Sequence, residues 1–151
     1  MSYFVTGGTG FIGRFLIGNL LKRKGSIHVL VRKASLKKFE AMAKKQGWDP
    51  KRVIAVAGDM TSANCGLSAA QVRALTGKVQ HFFHLAAIYD LTASAAEQQA
   101  ANIDGTRHAL DLAAALKVKC FHHASSIAAA GLYPGVFRED MFDEAEGLDD
   151  P

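Results

Sequence analysis

Cysteine is scarce in this chain of 151 residues. The two copies, Cys65 and Cys120, stand far apart with no CxxC or Cys/His spacing, which argues against a disulfide framework or a zinc fold. Cys120 falls in an apolar run and reads as a small hydrophobe in a buried strand. No metal site is expected. No apolar run approaches bilayer length, so no transmembrane segment is expected. A secretory leader is also missing: Met1 to Thr6 is a short apolar stretch without a basic start, and glycines follow at once. A cytoplasmic location is the default reading. Acids are sparse over most of the chain. Residues 1–138 hold all 18 Lys and Arg but only seven of the 14 acids, and residues 139–151 hold the other seven acids and no base. The basic excess is densest from Lys22 to Arg52, and it would attract a polyanionic ligand. Interleaved aromatics and any nucleic-acid-binding module are lacking, so no nucleic-acid partner is expected. Most of these lysines read as a solvated helix face.

What is present is an ordinary globular composition, 49% hydrophobic and 21% charged, with a length that suits one domain. Strand and helix patterns alternate along it. Tyr3–Thr6 reads as a buried strand, and a helix from Gly10 to Lys24 places Phe11, Ile12, Phe15, Leu16, Leu20 and Leu21 at helical spacing. Ile27–Val31 is a second strand. Ser35 is a candidate cap for a helix reaching Gln46, and Gly47 ends it. Arg52–Ala57 is a third strand. Ser68 to Gln71 matches a capping box opening a short helix, and Val79–Leu85 is a fourth strand. Ser94 to Glu97 matches another capping box, which opens a long alanine-rich helix to Leu116. Its packing face is read as Ala101, Leu110 and Leu112 to Leu116, with Gly105 allowing close approach of a neighbour. Lys119–Ala124 is a fifth strand. Alternation of this kind predicts an α/β doubly wound parallel sheet of Rossmann type with helices on both faces and ligands at the carboxyl ends of the strands.

The strongest local signal is Thr6-Gly7-Gly8-Thr9-Gly10-Phe11-Ile12-Gly13. Gly7, Gly10 and Gly13 have G-x-x-G-x-x-G spacing between a strand and an amphipathic helix, a variant of the dinucleotide fingerprint. Gly7 allows the sharp turn, Gly10 lets backbone amides reach a pyrophosphate, and Gly13 lets the helix pack tightly. The helix N-terminus adds partial positive charge. The second strand ends in Arg32-Lys33 where NAD proteins place an acid on the ribose. A guanidinium pairs with a 2′-phosphate that a carboxylate would repel, so Arg32, helped by Lys33, argues for NADP over NAD.

These residues, with four later segments, resemble the extended short-chain dehydrogenase/reductase family over essentially the whole chain. TGGTGFIG is its first signature, which assigns Gly7, Thr9, Gly10, Phe11, Ile12 and Gly13 to the cofactor. Gly58-Asp59-Met60 is similar to the segment whose acid lies near the adenine, so the resemblance adds Asp59 and Met60. His84-Leu85-Ala86-Ala87 resembles the motif beside the ribose and nicotinamide, which adds Leu85, Ala86, Ala87 and Tyr89. Asn102 to Thr106 matches the N-x-x-G-T signature, adding Asn102. Phe121 to Gly131 resembles the segment presenting the catalytic serine, and Ser126 has the family's spacing to Gly131. Taken singly, His84, His122 and His123 read as packing histidines, His84 satisfied by backbone.

The resemblance implies hydride transfer between NADPH and a carbonyl or acyl-thioester substrate, with His28 to Ser35 and the lysine-rich helix most like the fatty acyl-CoA reductase branch. Two alternatives stay open: an NAD-dependent nucleotide-sugar epimerase or dehydratase, and a non-catalytic NADPH-binding module. The family's Tyr-x-x-x-Lys pair has no match, because Tyr3, Tyr89 and Tyr133 are followed four places on by Gly7, Ala93 and Phe137. Residues 1–151 are therefore expected to be the N-terminal part of an NAD(P)-binding domain, without its substrate-binding domain and inactive alone. A homodimer through the 94–116 helix stays open, since sheet packing explains its alanines equally well.

Overall fold

The computed structural model describes residues 1–88, 92–131 and 133–141. Five parallel strands form one sheet: β1 (Ser2–Thr6), β2 (Ser26–Val31), β3 (Val53–Ala57), β4 (Val79–His84) and β5 (Cys120–His123), in the order β3-β2-β1-β4-β5. The helices between them are α1 (Phe11–Leu20), α2 (Leu36–Lys45), α3 (Ala69–Leu75), α4 (Ala95–Gln98) and α5 (Gly105–Ala115). None is long and apolar enough to cross a membrane. The chain runs outward from β1 to β3, then returns to place β4 on the other side of β1. Val5 thus pairs with Val29 on one side and Phe83 on the other. That reversal opens a crevice at the carboxyl ends of β1 and β4, where such sheets bind ligands.

Because successive strand residues face opposite ways, β1 feeds two cores. Tyr3 and Val5 join Ile17, Leu20, Val29, Phe39 and Trp48 under α1 and α2. Phe4 joins Val56, Phe82, Leu112 and Leu116 under α5. Both capping boxes form as the spacing predicts. Ser68 accepts from the Gln71 amide and Ser94 from the Glu97 amide, and each partner's side chain returns to the serine amide.

Several readings of the helices need correction. α1 is shorter than Gly10 to Lys24: it ends at Leu20, and the Arg52 guanidinium holds the turn that follows through the carbonyls of Leu21 and Gly25, at 2.9 and 3.1 Å, and of Arg23. Its sheet-facing row is Gly13, Ile17 and Leu20, while Phe11, Ile12 and Phe15 are exposed. Gly13 lets the helix backbone approach the Gly7–Gly8 backbone just after β1 directly, and that contact sets the rotation that turns the phenylalanines out. Ser35 caps nothing with its side chain and sits in a 3₁₀ turn, Lys33–Ser35, ahead of α2. The long 94–116 helix is widened into a π turn at Gln99–Asp104, so the spacing counted along it drifts: Ala109, Leu112, Ala113 and Leu116 are buried and Leu110 is exposed. Gly105 does allow a close neighbour, since a Cβ there would lie 3.2 Å from Met60 Cε. Cys120 is half-buried, because β5 is an edge of the described sheet.

Candidate functional site

A cleft of about 420 Å³ lies at the carboxyl ends of β1, β2, β3 and β4. Its floor is the glycine loop. Gly7 has φ +70°, and a Cβ there would lie 2.7 Å from the Ala86 amide nitrogen, so the loop can touch the segment after β4 only as glycine. A Cβ at Gly13 would lie 2.3 Å from the Gly7 carbonyl oxygen and 2.7 Å from Gly8 Cα. Gly13 therefore sets how closely α1 approaches the loop. Gly10 is the N-cap of α1 and has no side chain to offer its first amides. Those amides and the helix dipole suit an anion.

The walls carry most of the predicted residues. Thr9, Gly10, Arg32, Asp59, Met60, Leu85, Ala86 and Ala87 line the cleft with Gly7. Arg32 is exposed and forms no ion pair among the described residues. Asp59 accepts from the Thr61 amide at 3.0 Å and the Thr61 hydroxyl at 2.8 Å, which hold its carboxyl below the usual range, with Arg32 contributing less. The carboxylate is thus ionised and oriented by its own turn. The β2–β3 end of the cleft thus carries an exposed cation and a fixed acid side by side.

Other predicted residues sit elsewhere. Phe11 and Ile12 are exposed outside the cleft lining, Gly13 lies beneath it, and Lys33 is exposed in the 3₁₀ turn that follows Arg32. Ser126 is exposed beyond β5 and does not line the cleft. Tyr89 falls outside the described residues. Asn102 works from behind the wall: its side-chain oxygen accepts from the Ile88 amide at 2.8 Å and its amide donates to the Ile88 carbonyl at 2.9 Å.

Several cleft residues are not legible as such in the sequence, Thr61 beside Asp59 among them. Ser35 has the pattern of a cap, yet it lines the Arg32 end. Ile88 lies one residue past the His84–Ala87 motif. Ala101 reaches the cleft through the π turn, which leaves no composition signal. His84 is buried as expected, although its partners are side chains, with Nδ1 2.8 Å from Thr6 Oγ1 and Nε2 3.0 Å from Thr106 Oγ1. Burial lowers its pKa to about 4, so the ring is neutral. The sheet also gathers His81, Cys120 and His122, whose potential ligand atoms lie within 4.8 Å of one another, a proximity that chain spacing does not reveal.

Comparison with known proteins adds likenesses of sequence and of fold. The family described as Male sterility protein, an NAD-binding family, matches residues 5–150. A linear gramicidin synthase protein of Brevibacillus parabrevis is 36% identical over 132 residues, covering 82% of this chain and 3% of that protein. The L-2-aminoadipate reductase large subunit of Penicillium chrysogenum is 33% identical over 137 residues, covering 83% of this chain and 10% of that protein. Among solved structures, the terminal R domain from the myxalamid PKS-NRPS biosynthetic pathway superposes with a TM-score of 0.81 at 28% identity, over 93% of this chain and 38% of that one. The chain thus spans a minor part of the length of each of these relatives.

Proposed function

The chain belongs to the Male sterility protein family, and from that premise we propose that it is the NADP-binding part of a reductase acting on a carbonyl or acyl-thioester group. The observation that carries this reading is the pairing, in one cleft, of an uncapped helix N-terminus with an exposed arginine at the end of β2. The first would hold a pyrophosphate on backbone amides. The second would hold the 2′-phosphate, with Ser35 beside it. Gly7 and Gly13 allow the backbone contacts that shape the cleft floor, since a Cβ at either would strike backbone.

In this reading Asp59 and Met60 flank the adenosine, and Leu85 to Ala87 form the wall along the ribose and nicotinamide. A bound dinucleotide would supply a hydride there. Ser126 would donate a hydrogen bond to the substrate oxygen, as the resemblance implies. No Tyr-x-x-x-Lys pair stands in these residues, so they are assigned binding and orientation, and the proton transfer is assigned to a group outside them. The likeness to the Penicillium chrysogenum reductase supports the reaction class.

The test is a fluorescence titration of the chain with NADPH and NADH. NADPH should bind at least about tenfold more tightly, a difference of about 1.4 kcal/mol. Arg32→Asp should abolish or reverse that preference. Equal affinity for the two nucleotides, unaltered by Arg32→Asp, would refute the assignment.

A further inference from the structure

The hydrogen bonds around His84 have a single consistent direction. Thr106 Oγ1 lies 2.6 Å from the Asn102 carbonyl oxygen, which can only accept. A threonine hydroxyl has one proton, so towards His84 Nε2 that oxygen can only accept in turn. Nε2 therefore carries the ring proton. In the neutral ring Nδ1 is then bare, and the Thr6 hydroxyl donates to it. Thr6 Oγ1 keeps its lone pairs for the amides of Leu85 and Ala86, each 3.3 Å away. The opposite tautomer would set two lone pairs against each other at Nε2 and leave the Thr6 proton without an acceptor.

The row begins and ends at the cleft wall. Its first donors are the amides of Leu85 and Ala86, which line the cleft. Its last acceptor is the backbone carbonyl of Asn102, whose side chain grips both polar backbone atoms of Ile88. The wall from Leu85 to Ile88 is thus tied at both ends to one residue of the π turn. The same turn presents Ala101 to the cleft.

We propose that His84, as its Nε2–H tautomer, is a positioning residue for the dinucleotide, locking the Leu85–Ile88 wall to Asn102 without touching the ligand. The proposal rests on the cofactor reading of the cleft. The circuit needs a group that donates from one side and accepts on the other at fixed separation, and a neutral imidazole has that geometry.

Two measurements test it. Nitrogen-15 NMR of the histidine rings in the nucleotide-free chain should show His84 with a protonated Nε2 and a bare Nδ1. Thr106→Val removes the acceptor for Nε2–H and should raise the NADPH dissociation constant about tenfold, the scale of one buried hydrogen bond. Thr106→Ser keeps the hydroxyl and should restore both the tautomer and the affinity. A protonated Nδ1, or a Thr106→Val chain that binds NADPH like the parent, would overturn the proposal. If the parent chain binds no NADPH, the cofactor reading fails and takes the positioning role with it, while the ring nitrogens still report whether the proton order is right.

Discussion

Alanine at Gly13 and alanine at Gly18 should change this protein in opposite directions, although both positions lie within α1. At Gly18 nothing stands within 4 Å of the new Cβ. The substitution removes glycine's helix penalty and should stabilise the fold by up to about 1 kcal/mol. At Gly13 the Cβ would lie 2.3 Å from the Gly7 carbonyl oxygen, with Gly8 Cα and C at 2.7 and 2.9 Å. All three are backbone atoms, so no side chain can swing away. The helix and loop must part by about 1 Å to restore ordinary contact. Overpacking of this kind costs about 1–3 kcal/mol, from which the helix-propensity gain subtracts about 1. A net loss of up to about 2 kcal/mol follows. The displaced loop also carries the amides assigned to the pyrophosphate, and Gly10 N–H donates to that same Gly7 carbonyl at 3.0 Å. Urea denaturation followed by circular dichroism reads the stability, and NADPH titration reads the site. Gly13→Ala should lower the urea midpoint and weaken NADPH by about tenfold or more, whereas Gly18→Ala should raise the midpoint and leave binding unchanged. A Gly13→Ala chain as stable and as tight-binding as the parent would refute the close-approach reasoning.

Three further outcomes follow from the same geometry. His84 titrates near 4 when folded and near the ordinary 6.5 when unfolded, so the unfolded chain takes up its proton first on acidification. Stability is full above 6.5, falls between 6.5 and 4, and is flat in this group below that, for a loss of about 2 kcal/mol once solvent screening is allowed for. Thr6 of β1 and Thr106 of α5 are uncharged, and His123 of β5, stacked 5.4 Å away, pushes the same way; urea midpoints that stay constant from about pH 7 to 4.5 would contradict this. A thiol reagent should label half-buried Cys120 in the native chain and spare Cys65, which is fully buried with its thiol pushed up to about 12 chiefly by burial. Denaturant should expose both, and rapid labelling of two thiols without it would show that the Cys65 pocket opens. Ser94→Ala removes the side-chain half of a capping box, the acceptor for the Glu97 amide, and should lower stability by about 1 kcal/mol in urea denaturation; an unchanged midpoint would show that α4 is held by other contacts.

Much of this protein can be read without coordinates because the deciding interactions are local. A strand, a G-x-x-G-x-x-G turn and a helix are neighbours in the chain, so spacing alone places Gly7 and Gly10 at the cleft. The two capping boxes each close within four residues. The end of β2 announces Arg32, and the turn after β3 announces Asp59. Where sequence and structure part, the missing information is rotation or register between distant elements. Phe11, Ile12 and Phe15 fit a helical face as well as Gly13, Ile17 and Leu20 do. Only the contact of Gly13 with the Gly7 and Gly8 backbone decides which face meets the sheet. Leu110 falls on the packing face of a regular helix, and the π turn upstream of it rotates that face away.

His84 shows the boundary most sharply. Its burial follows from its place at the end of a central strand, as a matter of local pattern. Its tautomer does not, because that is set by Thr6, 78 positions away on β1, and by Thr106, 22 positions away on α5. The gathering of His81, Cys120 and His122 is likewise a product of strand pairing between β4 and β5. Amino-acid order alone determined the strand–helix alternation, the turns and the charge at the end of β2, since each depends on residues within a few positions. Tertiary structure alone decided which helix face is buried, which side chains share the cleft and which way its protons point, since those depend on groups that folding brings together.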